Sequence, residues 1–157
     1  MDDIVETLAQ RLLERGEMLA TAESCTGGLV AAACTALAGS SAWFDRGFVT
    51  YSNAAKREAL GVDAALIETH GAVSAAVVEA MLVGTLAHSA AHWAIAVSGV
   101  AGPGGGSADK PVGTVYLGWA ARNSVPQARR FAFAGTRAAV REASVNAALH
   151  GLVERLG

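Results

Sequence analysis

The amino-acid sequence predicts an α/β domain of three layers, with helices on both faces of a mixed β-sheet. Short apolar runs of strand length alternate with longer segments of helical periodicity along the chain. Late in the chain, two strand-like segments lie about a hairpin's distance apart, which adds antiparallel strands to the sheet. A length of 157 residues suits one domain, so we expect residues 1–157 to form a single unit.

The first predicted elements come from the spacing of apolar residues in the N-terminal third. Apolar positions at helical spacing begin at Ile4, and Gly16 follows the last turn, which indicates an amphipathic helix. The run at 18–22 is typical of a buried strand. A helix of small residues is predicted over about 29–37, and a second strand over 46–51.

The remaining elements are predicted from cap residues and apolar runs. Ser52 or Asn53 is expected to cap a helix that ends at Gly61, and a short helix follows over 63–69. The other predicted elements are a helix from Ser74 to about 87, a strand at 92–98, a glycine-rich loop at 99–113, strands at 114–121 and 129–134, and a closing helix from Thr136 to 156.

Composition excludes several classes of protein. The chain has 35 Ala and 18 Gly, its charged fraction is 17%, and its net charge of −2 gives no basic excess for nucleic acid. Histidine, serine and glycines interrupt the uncharged stretch at 80–108, so we expect no membrane span. The acidic start at Asp2 and Asp3 is unlike a secretory signal, which favours a cytoplasmic location.

The first candidate site is the segment Glu23-Ser24-Cys25-Thr26-Gly27-Gly28, at a predicted strand-to-helix junction. A hydroxyl there lies beside free N–H groups at the positive end of a helix dipole. Such donors can hold a phosphate or stabilise the oxyanion formed when a serine attacks a carbonyl. The alternative is structural, in which Ser24 or Thr26 only caps the helix and the glycines form a tight turn.

The second candidate is Tyr51 with Lys56, a tyrosine at a strand end and a lysine in the next helical turn. A lysine that is partly desolvated has a lowered pKa and can take a proton from a serine hydroxyl, directly or through a phenol. Taken alone, the pair is better interpreted as a surface lysine and a core tyrosine, because most lysines are solvated.

The third candidate is the glycine-rich segment 98–107, which follows a predicted strand and includes Ser98, Gly99 and Gly102. It lacks the Gly-Lys-Ser/Thr ending of a P-loop and the third glycine of a dinucleotide fingerprint. A loop of this length inside a compact domain is more often functional than idle, and its amides can line a ligand pocket.

Three further features have weaker signals. Cys25 is an alternative nucleophile, although no histidine is near it in sequence. His88 and His92 have metal-pair spacing, but no third ligand suggests itself and a structural role is favoured. Arg137 and Arg141 are either a solvated helix face or, for Arg137, a group that reaches an anionic substrate.

Taken together and in order, these motifs resemble the CinA C-terminal domain family. The resemblance covers essentially the whole chain. It rests on the segments Thr21-Ala-Glu-Ser-Cys-Thr-Gly-Gly28, Gly39-Ser-Ser41 with Phe44, Gly47-Phe-Val-Thr-Tyr-Ser-Asn53 with Lys56, His70-Gly-Ala-Val-Ser74, Ser98-Gly-Val-Ala-Gly-Pro103 and Lys110-Pro-Val-Gly-Thr-Val115.

The resemblance implies a three-layer α/β/α fold, commonly a homodimer, that hydrolyses the carboxamide of nicotinamide mononucleotide to nicotinate mononucleotide and ammonia. The family's serine nucleophile falls on Ser24, its lysine on Lys56, its tyrosine on Tyr51 and a helix arginine on Arg137. No metal is carried over and no cofactor is expected. The amides near Thr26, Gly27 and Gly28 suit the oxyanion, and the glycine-rich loop with Arg137 suits the ribose phosphate.

Two alternatives stay open at this point. One is a non-catalytic nucleotide-binding or regulatory module, against which the joint presence of Ser24, Tyr51 and Lys56 argues. The other is an amidase that acts on a different nucleotide or a small amide.

Overall fold

A computed structural model describes residues 2–157 of the chain. Six α-helices and five strands alternate along it, with one 3₁₀ turn. The elements are α1 Asp2–Arg15, β1 Leu19–Glu23, α2 Leu29–Thr35, the 3₁₀ turn Ser40–Ala42, β2 Phe44–Val49, α3 Asn53–Leu60, α4 Ala64–His70, α5 Ala75–Ala87, β3 Trp93–Gly99, β4 Thr114–Ala121, β5 Gln127–Ala132 and α6 Arg137–Leu156.

The five strands form one mixed sheet in the order β2-β1-β3-β4-β5. Strand β1 pairs in parallel with both β2 and β3, with Ala22 opposite Phe48 on one side and Ala96 on the other. Strands β3, β4 and β5 pair antiparallel, so the predicted late hairpin forms one end of the sheet. The predicted α/β class and mixed sheet are confirmed.

Helices cover the sheet on both faces and give it two apolar cores. Helices α1, α2 and α6 pack together on one face, where Leu8, Leu149 and Leu152 are fully buried. Helix α5 lies on the other face against β1, β3 and β4, with α3 and α4 packed on it. Met81 and Leu82 of α5 belong to this second core. The architecture is therefore the three-layer α/β/α arrangement that the sequence predicts.

The connections of β1 and β2 explain where a crevice forms. The chain leaves β1 through α2 on one face and leaves β2 through α3, α4 and α5 on the other. Strand order reverses at β1, and in open α/β sheets ligands bind at the carboxyl ends of the strands at such a point. Ser24, Thr50 and Gly99 all lie at this edge, at the ends of β1, β2 and β3.

The element boundaries differ from the predictions in a few places. Strand β2 begins at Phe44 rather than 46, and β5 spans Gln127–Ala132 rather than 129–134. Both are edge strands with exposed positions, so the apolar pattern marks their limits poorly. The 3₁₀ turn at Ser40–Ala42 is not predicted. Of the two candidate caps for α3, Ser52 takes the role, since its Oγ accepts from the Ala55 N–H at 3.0 Å.

Gly84 is the point where α5 packs closest to the end of α3. A methyl group there would overlap the main-chain carbonyl oxygen of Leu60, which cannot rotate away. We therefore expect Gly84→Ala to lower the free energy of unfolding by about 1–3 kcal/mol, the usual cost of overpacking. At a solvent-exposed position inside a helix, by contrast, replacing glycine with alanine raises the free energy of unfolding by about 1 kcal/mol.

Urea unfolding measures this difference, with Gly104→Ala as the control because a methyl group at Gly104 meets nothing within 4 Å. A Gly84→Ala protein more stable than the parent would contradict the packing described here.

Candidate active site

A cavity of about 320 Å³ opens at the carboxyl ends of the three parallel strands. It is lined from three directions, by the turn after β1, by the start of α3 with the segment before α5, and by the glycine-rich loop after β3. The lining residues are Ser24, Cys25, Tyr51, Asn53, Lys56, Ala72, Val73, Ser98, Gly99, Val100, Ala101, Gly102, Gly104, Gly105 and Arg137. Seven of the ten predicted site residues are among them.

The turn after β1 is held in place by the buried carboxylate of Glu23, which is 1% exposed. Its Oε1 accepts from the Thr26 hydroxyl at 2.6 Å and from the Val30 N–H at 2.8 Å, and its Oε2 accepts from the Ala31 N–H at 3.1 Å. The carboxylate thus serves as the acceptor for the first free amides of α2, in place of a side chain at the helix cap itself.

This arrangement removes some of the N–H donors that the sequence offers for a phosphate or an oxyanion at the start of α2. The first amides of α2 are already paired with Glu23, so they are not free to bind a ligand. The structure also places Thr26, Gly27 and Gly28 outside the cavity lining. Thr26 is buried and donates to Glu23, while the two glycines take left-handed conformations, with φ of 58° and 105°, that turn the chain into α2.

Lys56 projects from the first turns of α3 back toward the strand ends, as helical side chains do. The residue is 1% exposed, and its Nζ lies 3.1 Å from the Ser24 Oγ. The same Nζ donates to the main-chain carbonyl oxygens of Thr50 at 2.9 Å and Tyr51 at 3.2 Å. Within residues 2–157, no carboxylate lies at salt-bridge distance from this amine.

The environment of Lys56 shifts its protonation equilibrium toward the neutral form, compared with an exposed lysine. Burial lowers the pKa of the Lys56 amine below its ordinary value, because the ammonium ion loses its hydration. A neutral amine has two N–H donors and one lone pair. With two carbonyl oxygens as acceptors for the N–H groups, the lone pair is left for the third neighbour, the Ser24 hydroxyl.

Tyr51 lies at the mouth of the cavity rather than beside the serine. Its side chain is 60% exposed, and its hydroxyl is 3.1 Å from the Nη2 of Arg137, which donates to it. The contacts of Tyr51 with Lys56 and Ser24 run through its main-chain carbonyl oxygen. No hydrogen bond joins the phenol to either side chain in the part of the chain that the structure describes.

Arg137 connects the mouth of the cavity to the glycine-rich loop. Its Nη1 donates to the carbonyl oxygen of Gly102 at 2.7 Å, and the residue opens α6 directly after its cap, Thr136. Gly102 has a φ of 84°, which lies in the left-handed region that favours glycine. Deeper in, the buried Ser98 hydroxyl donates to the Ala72 carbonyl oxygen at 2.9 Å, which ties β3 to the segment before α5.

Cys25 lines the cavity next to Ser24 but is poorly suited as a nucleophile. Burial raises the pKa of its thiol to about 11, so the thiolate that would attack a carbonyl is scarce near neutrality. The Ser24 hydroxyl, unlike the Cys25 thiol, has the Lys56 amine at hydrogen-bonding distance.

The sequence did not predict Glu23 as the partner of α2, nor Asn53, Ala72 and Val73 as lining residues, whereas Gly104 and Gly105 belong to the glycine-rich segment that was expected to line a pocket. Arg141 does not belong to a solvated helix face, because its Nε donates to the Cys25 carbonyl oxygen at 3.1 Å. The sequence signal for Glu23 is a charged residue at the end of an otherwise apolar strand, which in a buried position requires partners.

Two further findings concern residues 2–157. His92 accepts from the Met18 N–H through Nδ1 at 2.9 Å, and no group of three or more His, Cys, Asp or Glu side chains in this range is arranged to hold a metal ion. Over the same range, the helices are too short or too polar to cross a membrane.

Comparisons with known proteins give the family. The family model for the CinA C-terminal domain matches residues 1–156. The nicotinamide-nucleotide amidohydrolase PncC of Pseudomonas putida is 54% identical over 156 residues, which cover 97% of both chains. The protein of the same name from Escherichia coli K12 is 50% identical over 147 residues, or 94% of this chain and 89% of that one.

Solved structures agree with the sequence relatives. A crystal structure of a competence damage-inducible protein from Klebsiella pneumoniae matches with a TM-score of 0.95 and 44% identity, covering 99% of this chain and 96% of that one. One from Agrobacterium tumefaciens matches with a TM-score of 0.90 and 48% identity, covering 96% and 94%. The chain belongs to the CinA C-terminal domain family, as the order of its motifs predicts.

Proposed function

We propose that the protein is an amidohydrolase that converts nicotinamide mononucleotide and water to nicotinate mononucleotide and ammonia. The observation that carries this proposal is the 3.1 Å approach of the buried Lys56 amine to the Ser24 hydroxyl. A nucleophile within hydrogen-bond reach of its base is the arrangement that covalent amide hydrolysis needs. Relatives that are 50–55% identical carry the name nicotinamide-nucleotide amidohydrolase, which supports the same enzyme class.

In the first half of the proposed reaction, the Ser24 Oγ attacks the carboxamide carbon while neutral Lys56 takes the hydroxyl proton. The tetrahedral intermediate carries an oxyanion, which needs N–H donors close to Ser24. When the C–N bond breaks, the Lys56 ammonium returns the proton to the leaving nitrogen. Ammonia departs, and an ester joins Ser24 to the nicotinoyl carbon.

In the second half, water attacks the ester and Lys56 takes one of its protons. The C–O bond to Ser24 then breaks, and the Lys56 proton returns to the Ser24 oxygen. The product acid loses its own proton to solvent, and the enzyme regains its starting state. The amine therefore begins and ends neutral, as its burial without a carboxylate favours.

The mouth of the cavity suits the nucleotide's phosphate. Arg137 is the one guanidinium among the lining residues of the described chain, and no Asp or Glu side chain lines the cavity with it. Guanidinium groups bind phosphate with charge-assisted hydrogen bonds. In this proposal Tyr51 supports Arg137 through its hydroxyl, and Lys56 alone takes the serine proton.

Replacement of Ser24 tests the nucleophile. We expect Ser24→Ala to lower ammonia release on the order of 10⁶-fold, as removal of a serine nucleophile does elsewhere. The matched control is Cys25→Ser, which alters the neighbouring side chain and should still release ammonia. Loss of activity in Cys25→Ser, with activity kept in Ser24→Ala, would make the thiol the nucleophile instead.

The pH dependence tests the base. Neutral Lys56 is the reactive form, so kcat/KM should rise with pH and level off below the ordinary lysine pKa of 10.5, because burial lowers the pKa of this amine. Lys56→Arg should be inactive across the whole range, since a guanidinium does not lose its proton. A kcat/KM that falls as the pH rises toward 10.5 would contradict the role of Lys56 as the base.

Replacement of Arg137 tests the phosphate site. We expect Arg137→Gln to raise KM for nicotinamide mononucleotide about 10- to 100-fold, the value of one charged hydrogen bond, with kcat little changed. Arg129→Gln removes a guanidinium from β5 instead and should leave both constants unaltered. The assignment fails if kcat falls while KM stays constant, or if the free nicotinamide base is hydrolysed as well as the mononucleotide.

A further inference from the structure

Two of the motifs that carry the family resemblance take no part in the proposed reaction, and the structure brings them into contact. They are His70-Gly-Ala-Val-Ser74, which begins at the end of α4, and Lys110-Pro-Val-Gly-Thr-Val115, where the glycine-rich loop returns to β4. The Nζ of Lys110 donates to the main-chain carbonyl oxygen of His70 at 2.7 Å. This carbonyl lies in the last turn of α4, where carbonyl groups lack partners within the helix and a cation is favoured.

The segments joined by this contact supply two walls of the Ser24 cavity. Ala72 and Val73 line the cavity from the segment before α5, and Val100 and Ala101 line it from the start of the glycine-rich loop. These four aliphatic side chains stand out in a lining that otherwise consists mostly of polar residues and glycines. Apolar walls of this kind bury the flat, apolar part of a ligand, while a few polar groups fix its orientation.

The same two walls also meet beside the nucleophile. The Ser98 hydroxyl donates to the Ala72 carbonyl oxygen at 2.9 Å. Val97, the residue before Ser98, accepts the Ser24 N–H through its carbonyl oxygen at 3.0 Å. The walls are therefore joined at two points, next to Ser24 by the serine hydroxyl of β3 and at the end of α4 by the ammonium group of Lys110.

The contact of Lys110 bears on the lining residues because the returning part of the loop packs against its start. Val112 lies two residues after Lys110, and a methyl group on Gly102 would overlap the Val112 Cγ1. The Gly113 N–H donates to the Val100 carbonyl oxygen at 2.8 Å. The segment that begins at Lys110 thus supports the wall that Val100 and Gly102 present to the cavity.

We propose that Lys110 is a positioning residue, which holds the glycine-rich wall against the wall before α5 so that the pyridine ring of the substrate binds between them. The inference rests on the proposed function and adds to it the site of the ring. With the ring between the walls, its carboxamide lies next to Ser24, and the ribose and phosphate extend toward Arg137 at the mouth. Because the walls hold the ring alike in the substrate and in the transition state, Lys110 acts on binding and not on the chemical step.

Replacement of Lys110 tests the proposal by its separate effects on KM and kcat. Lys110→Met removes the ammonium group, and we expect KM for nicotinamide mononucleotide to rise about 10-fold, the effect of losing one hydrogen bond to a charged group, with kcat unchanged. Lys110→Arg keeps a donor for the His70 carbonyl oxygen and should have a KM close to that of the parent. A fall of kcat at constant KM, or an equal loss in both variants, would overturn the proposal.

The matched control is Arg46→Met, because Arg46 also donates to a carbonyl oxygen at the end of a helix. Its Nη1 lies 3.1 Å from the carbonyl oxygen of His88, which closes α5, and Arg46 lies outside the cavity lining. We expect Arg46→Met to keep the KM and kcat of the parent. An equal rise of KM in this variant would assign the effect to the loss of any such surface contact and overturn the proposal.

Ligands with and without the ring separate the site of the ring from the rest of the cavity. In the Ser24→Ala background, calorimetry should show that Lys110→Met weakens the binding of nicotinamide mononucleotide about 10-fold and leaves that of ribose 5-phosphate, which lacks the ring, unchanged. Arg137→Gln, by contrast, should weaken both. Equal weakening of both ligands by Lys110→Met would make Lys110 a general structural residue and overturn the proposal. A parent protein that released no ammonia would instead refute the proposed function, so the two failures are distinguishable.

Discussion

The structure of the site depends on one buried amine that has no carboxylate partner among residues 2–157. Lys56 is almost completely buried, and its hydrogen-bonding neighbours are two main-chain carbonyl oxygens and the Ser24 hydroxyl. A buried lysine normally needs an acid beside it to stay charged. Here the carbonyls provide acceptors without a charge, so the amine can lose its proton while its remaining N–H groups stay paired. In the proposed mechanism, the same neighbours that accept the Lys56 N–H groups leave this amine able to act as the base.

The fold brings these groups together through the ends of its parallel strands. Ser24 follows β1, the two carbonyls follow β2, and the glycine-rich loop follows β3, so three segments that are distant in sequence share one edge of the sheet. The helices then add what the strands lack. Helix α3 carries Lys56 back to the edge, and α6 carries Arg137 to the mouth and Arg141 to the Cys25 carbonyl oxygen in the turn after β1. Each helix thus contributes through its first turns, next to the strand ends.

Local patterns in the sequence were enough to predict the fold class and several of the cavity residues. Ser24 and Ser98 end apolar runs, and Lys56 follows a capped helix start, so their meeting at one sheet edge follows from topology. The contacts of Glu23 and Arg141 were beyond such reasoning. Glu23 caps a helix that begins six residues later, and Arg141 reaches the turn across a separation of 116 residues. No local periodicity encodes a contact of that range. Without the contacts of Glu23, the sequence also did not show that Thr26, Gly27 and Gly28 lie outside the cavity.

A direct titration of Lys56 tests the central claim. The chain contains two lysines, Lys56 and Lys110, so a protein labelled at the lysine side chains gives two amine signals by nuclear magnetic resonance. Lys56→Met identifies which signal belongs to the site by removing it. We expect the Lys56 amine to titrate below the ordinary lysine pKa of 10.5. A Lys56 signal that stays protonated up to or above that value would contradict it, because a permanently charged amine cannot accept the proton of Ser24.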